Sequence, residues 1–251
     1  MKIVAAFLFG VLCATSLRAA WVLESSEHVA TASPLIRHER KTVSNGRSVE
    51  LHLVFFNAKK CTFKVIDNPR QESDLSSAMQ AAGCIAGVNG NYFHPDRTPL
   101  GLVISDGATI HPTERARLLS GILSVGDARI ALQRFAEFKP GEKLRQALQC
   151  GPFLIDHGKP VPGLNATAVA TRTAVLGNGK DEWALLICEP VTLAEMAEIL
   201  AARGIFPELK IDRALNLDGG SSTGMWVNAE PQPFYRREFK SVRNYLGIVP
   251  R

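Results

Sequence analysis

Short apolar runs, each closed by Gly, Pro, Asn or Asp before it reaches helical length, punctuate this chain from Val49 to Val249. The first run shows the period most plainly. Val49, Leu51, Leu53 and Phe55 face one way while Glu50, His52 and Val54 face the other, which predicts a half-buried strand. Further strands are expected at 62–66, 85–88, 100–104, 122–125, 129–132, 153–155, 168–176, 183–188, 214–217, 225–227 and 245–249. Only two segments read as helices. Asp74 caps 75–82, which stops at Gly83; Thr192 and Glu195 form a capping box before Leu193, Met196, Ala197 and Leu200, a run ended by Gly204. Many strands with few, irregularly placed helices predict an α+β fold. It is expected to be a strand-rich single domain over 21–251 with a mixed or antiparallel sheet. The polar segment 135–146, holding Pro140-Gly141, is expected to be a connection inside that domain.

The 251 residues are enough to bury a core without a structural metal or a dense set of disulfides. Lys2, the apolar stretch 3–12 and the small residues up to Ala20 predict a signal peptide cleaved after residue 20, so the protein is expected to be exported, to the periplasm or the medium. The apolar stretch is too short to span a membrane, and no lasting membrane anchor is expected. Loss of Lys2 and Arg18 lowers the formal charge from +5 to +3. Basic residues are scattered, the densest group lying from Arg236 to Arg243, and nucleic acid is not expected as a partner. Cys61, Cys84, Cys150 and Cys188 remain. In an oxidising compartment one or two disulfides are expected, with four buried free thiols as the alternative.

Chemistry is suggested by four places where polar residues stand between a strand and glycines. Asn89-Gly90-Asn91-Tyr92-Phe93 follows a buried strand, and its carboxamides are suited to reading sugar hydroxyls or holding a carboxylate. Cys150-Gly151-Pro152 marks a loop. Thr171-Arg172-Thr173 interrupts an apolar strand, where a buried arginine needs a carboxylate or an anionic ligand. Leu217-Asp218-Gly219-Gly220-Ser221-Ser222 ends an apolar strand in a carboxylate, with two glycines that let a ligand approach the backbone. Gly220 to Gly224 also fits Gly-x-Ser-x-Gly, but no acid-then-histidine order follows Ser222, so a serine hydrolase is not expected. The six histidines include no zinc-binding spacing.

Taken in order, Asn89 to Phe93 with Pro99-Leu100-Gly101-Leu102, Gly151-Pro152, Thr171 to Ala174, Leu217 to Ser222, and Asn244 before Leu246-Gly247 resemble the phosphodiester glycosidase family. Asn91 departs from it, since the family pattern often has a small residue there. The resemblance implies hydrolysis of the bond between a sugar anomeric carbon and a phosphate oxygen, with a glycosyl phosphate or polysaccharide as substrate. It implies Asp218 as general base or nucleophile and Arg172 as phosphate clamp, with Asn89, Asn91 and Asn244 orienting the sugar or Asp218. Gly219 and Gly220 would offer N–H groups, and Thr171, Ser221, Ser222 and Gly151 would line the substrate. No cofactor is required, although these oxygen donors are compatible with Ca²⁺ or Mg²⁺. A non-catalytic protein that binds a glycan or cell-wall polymer is the alternative.

Overall fold

A computed structural model of the protein describes residues 20–127, 129–139 and 143–251. Residues 1–19 of the expected signal peptide, with Cys13, lie outside them, as does Pro140-Gly141. The first half contains strands Val22–Val29 (β1), Ile36–Ser44 (β2), Ser48–Asn57 (β3), Cys61–Asp67 (β4), Ala86–Asn89 (β5), Val103–Ser105 (β6), Ala108–His111 (β7) and Gly121–Gly126 (β8). The second contains Ile130–Arg134 (β9), Leu144–Cys150 (β10), Phe153–Asp156 (β11), Lys159–Pro160 (β12), Ala170–Gly177 (β13), Glu182–Val191 (β14), Arg213–Asn216 (β15), Met225–Val227 (β16), Phe234–Arg236 (β17) and Asn244–Pro250 (β18). Helices cover Leu75–Ala81 (α1) and Leu193–Ala201 (α2). With so little helix the fold is mostly β, in keeping with the strand-rich expectation, and the α+β label gives way to a mostly-β one. The paired strands of the described residues run antiparallel, not mixed.

Three sheets share the work of enclosing the core. One is eight-stranded in the order β1-β2-β3-β14-β13-β15-β11-β12; two are five-stranded, β7-β6-β10-β8-β9 and β17-β16-β5-β18-β4. One face of the large sheet supplies Val54, Val175, Leu185 and Leu215 to a core completed by Leu123 and Leu148 of one small sheet and Val88 and Leu246 of the other. Its opposite face packs under α2. There Met196, Ile199 and Leu200 meet Leu53, Leu176 and Leu186, each large side chain contributing roughly 1.5–3 kcal/mol by leaving water. Thr192 and Glu195 form the expected capping box on α2, and Asp74 caps α1 through the Ser77 N–H.

Several strands carry no apolar signature. β2 reads Ile-Arg-His-Glu-Arg-Lys, yet Lys41 is fully buried, with Nζ 2.9 Å from Glu39 Oε2 and 3.0 Å from Glu208 Oε1. Pairing with carboxylates is what lets a strand bury that charge.

The expected disulfides are replaced by four free, buried thiols at Cys61, Cys84, Cys150 and Cys188. Cys84 fills space against Gly247, where a Cβ would lie 2.4 Å from its sulfur, and burial pushes its thiol up to about 12. Burial raises the thiols of Cys150 and Cys188 as well. These four thiols are therefore expected to resist a thiol-reactive disulfide reagent in the native protein and to react together on denaturation. Titration that finds them missing after denaturation without reductant would restore the disulfide expectation.

Candidate active site

The end of β5, the start of β13, the end of β15 and the start of β18 converge, and each brings one of the polar segments. β13 is antiparallel to β15, so its first residues lie beside the last of β15. Asn89 is fully buried at this junction. Its Oδ1 accepts from Thr173 Oγ1 (2.8 Å) and the Gly224 N–H (3.2 Å), and its Nδ2 donates to the Asp218 carbonyl (2.7 Å). The Asp218 N–H in turn donates to the Gly90 carbonyl at 3.1 Å. Asn89 thus fastens three segments together. Asn89→Ala would strand a hydroxyl, an N–H and a carbonyl in the interior, and is expected to cost about 2–4 kcal/mol, read as a lower urea midpoint at unchanged slope.

Asn91 and Asn244 clasp each other. Asn244 Nδ2 donates to Asn91 Oδ1 (2.6 Å) and its Oδ1 accepts the Asn91 N–H (3.0 Å), while Asn91 Nδ2 reaches the carbonyls of Leu100 and Gln149. Gly90 has no room for a side chain, because a Cβ would lie 1.8 Å from Asn244 Oδ1. The departure at Asn91 is therefore matched by a partner inside the protein. All three asparagines spend their carboxamides on the fold.

Asp218 is half-buried, its Oδ1 accepting the Gly219 N–H at 2.8 Å. Burial pushes its carboxyl above the usual carboxylate range, while the Ser222 hydroxyl, the Gly219 N–H and the charge of Lys240 act in the other direction. The glycines that follow bring the loop against β13. A Cβ on Gly219 would lie 2.8 Å from the Thr171 carbonyl, and Gly220, at φ +61°, accepts Thr171 Oγ1 at 2.8 Å. Gly220–Ser222 form one 3₁₀ turn in which Ser222 is buried and Ser221 exposed.

Arg172 is buried near the start of β13, not in its middle. Its Nε donates to the Val191 carbonyl (2.9 Å) and Nη2 to the Ala168 carbonyl (2.5 Å), and burial lowers its pKa. No carboxylate pairs with it among the described residues. A desolvated cation without a counter-charge is a site that an anion stabilises.

Two further residues complete the junction. The Tyr92 hydroxyl donates to the Gly151 carbonyl and accepts from Asn216 Nδ2, both at 2.8 Å. Burial pushes the phenol well above its usual value, and it lies within electrostatic reach of both Asp218 and Arg172. Asn216 is buried with its Oδ1 unpartnered. Its sequence signal was that of Arg172, a polar residue inside an apolar strand. Gly151 is held where a Cβ would lie 2.1 Å from the Leu118 carbonyl. No group of three His, Cys, Asp or Glu is gathered for a metal ion among the described residues. A surface cleft lined by His157, Gly177, Asp212 and Arg213 lies at the opposite ends of β13 and β15, away from this junction.

A family model describing phosphodiester glycosidases matches residues 82–249, a span that contains every segment of the junction. The chain belongs to the phosphodiester glycosidase family. In fold this family member is similar to the catalytic domain of a zebrafish N-acetylglucosamine-1-phosphodiester alpha-N-acetylglucosaminidase, auto-inhibited by its pro-peptide. The TM-score is 0.65 at 15% identity, covering 92% of this chain and 89% of that one. It is also similar to a Synechocystis protein, with a TM-score of 0.64 at 15% identity, covering 90% of this chain. It spans 64% of the length of that protein. No curated protein matches it in sequence.

Proposed function

We propose that the protein is an exported hydrolase of glycosyl phosphodiesters, such as those of envelope or exopolysaccharide glycans, that breaks the bond between the sugar anomeric carbon and a phosphate oxygen. One juxtaposition supports this reading above others. A half-buried carboxylate, Asp218, and a buried guanidinium that no acid among the described residues neutralises, Arg172, stand on segments tied together through Thr171 and Gly220.

Phosphate leaves as an anion, so the departing oxygen needs charge stabilisation more than a proton. Arg172 supplies it. Its Nη1 makes no hydrogen bond to the protein among the described residues, while Nε and Nη2 fix the plane of the fork. Asp218 takes the proton of the water that attacks C1, the C1–O bond breaks, and its electron pair leaves with the phosphate. Ordinary glycosidases need a second carboxylic acid for the leaving group; here a phosphate makes that acid dispensable. Tyr92, kept neutral by burial and with its proton held by the Gly151 carbonyl, lies within electrostatic reach of both charges. Asn89, Asn91 and Asn244 act as positioning residues for the loops that carry Asp218 and Tyr92.

The name of the zebrafish relative makes N-acetylglucosamine the first sugar to try. Release of free N-acetylglucosamine from UDP-N-acetylglucosamine or its methyl phosphodiester by the purified protein is the test. Binding of such a compound without release would instead support a glycan-binding protein.

A further inference from the structure

Among the described residues the exposed large apolar side chains are Val22, Ile110, Leu118, Val169 and Phe239. The last three named rim the candidate active site. Phe239, 90% exposed, sits on a strap where its own N–H and that of Lys240 donate to the Ser221 carbonyl of the glycine loop. Val169, 59% exposed, follows Ala168, whose carbonyl holds Arg172 Nη2, and lies two residues before Thr171, which reaches Gly220. Leu118, 45% exposed, sets its carbonyl against Gly151, whose own carbonyl takes the Tyr92 hydroxyl.

Each stands on a pinned loop, so the exposure is built in. Glu238, immediately before Phe239, is buried and accepts the Leu75 N–H at 2.7 Å, and Ser241 Oγ donates to the Gln71 carbonyl at 2.7 Å. Buried Gln149 holds the loop around Leu118. Its Oε1 accepts the Glu114 N–H (3.0 Å), and its Nε2 donates to the carbonyls of Glu114 (2.7 Å) and Leu119 (3.2 Å). Asn165 Oδ1 accepts the N–H groups of Thr167 (2.9 Å) and Ala168 (2.7 Å), just ahead of Val169. A lone exposed apolar residue is ordinary, but three on fixed loops around one opening mark a contact surface.

Exposed cations flank two of the three. Arg237 and Lys240 stand beside Phe239, and Arg115 and Arg117 precede Leu118. None of the four forms an ion pair among the described residues. Nearby acids are engaged elsewhere: Glu238 as above, Asp74 as the cap of α1, and Glu114 3.6 Å from His111 Nε2. A protein-binding patch gathers its apolar residues at a centre depleted of charge. Here cations sit next to the apolar tips, which lets the charges meet lipid headgroups while rings and aliphatic chains reach past them.

We infer that the mouth of the site docks on an anionic lipid bilayer: Phe239, Leu118 and Val169 enter the headgroup region while Arg115, Arg117, Arg237 and Lys240 meet the lipid phosphates. The contact is peripheral and uses loop side chains; no helix among the described residues is long and apolar enough to cross a membrane. It goes beyond the glycosidase reading and does not depend on it, since it sets where the site is held and not which bond it breaks.

The test is flotation of the purified protein with vesicles of phosphatidylcholine, with and without phosphatidylglycerol. The protein is expected to float with the anionic vesicles, less so as salt is raised, and little with the neutral ones. Phe239→Ser should weaken that binding about tenfold, and Arg115→Gln with Arg117→Gln by about as much, whereas Val22→Ser, away from the rim, should leave it unchanged. Phe239→Trp should keep the binding and shift its emission to the blue on adding anionic vesicles, against a steady background from Trp21, Trp183 and Trp226, which are buried. No flotation of the wild type would overturn the membrane contact and leave the rim to a protein or glycan. Flotation that Phe239→Ser leaves unchanged, or a Phe239→Trp emission that vesicles do not move, would overturn it as well. Hydrolysis is measured in none of these arms, so the glycosidase reading stands or falls separately.

Discussion

Asp218→Asn is expected to lower turnover of a glycosyl phosphodiester by about 10²–10⁴-fold, the usual worth of a positioned base, and at the same time to stabilise the protein near neutral pH. The two effects share one cause. Burial raises the native carboxyl above its ordinary value, so the native state holds the proton more tightly than the unfolded state does. The stability linked to that proton is complete below the unfolded value and is lost as pH rises through the native one. At neutral pH the buried charge is a cost, which asparagine removes while Oδ1 can still accept the Gly219 N–H. Melting temperatures of the two proteins should therefore separate as pH rises and converge in acid. Activity should rise with pH through the same raised value, because a base must be ionised to work. A variant that folds normally and keeps wild-type turnover would remove Asp218 from the mechanism.

Arg172→Ala is expected to reduce kcat/KM on phosphodiesters by at least 10²-fold and to reduce any activity on neutral aryl glycosides much less. The guanidinium opposes charge that develops only on a leaving phosphate. Arg172→Lys should recover little, since a point charge cannot hold the Val191 and Ala168 carbonyls and still face an anion. Some loss of stability is expected in both variants from those two carbonyls. Substrate selectivity separates the catalytic role from the structural one: equal losses on charged and neutral substrates would make Arg172 structural alone.

What the sequence disclosed and what it hid follow from the same physics. Strands with apolar periodicity, such as β3, β14 and β18, were legible, as were both helix caps, because local chemistry fixes them. β2 was not, since Arg37 to Lys41 have no apolar period, and Glu39 and Glu208 enclose Lys41 only in the fold. β1 gave no signal because most of it is exposed at a sheet edge. At the site, Asp218 stood out as a carboxylate closing an apolar strand and Arg172 as a polar residue inside one. The inward turn of Asn89, Asn91 and Asn244 did not, because a carboxamide reads the same whether it holds a ligand or a neighbouring loop. Asn216 carried that signal unnoticed, and Tyr92 lay within a motif with no role attached to it. Their partnership through the Gly151 carbonyl is long-range and appears only in the fold.

The central claim is which bond breaks, and isotope placement tests it most directly. The purified protein is given the methyl phosphodiester of N-acetylglucosamine in ¹⁸O-enriched water, and the phosphate product is examined by mass spectrometry. Cleavage at C1 predicts methyl phosphate without the label, because water joins the sugar. Label in the phosphate product would show attack at phosphorus and contradict the account.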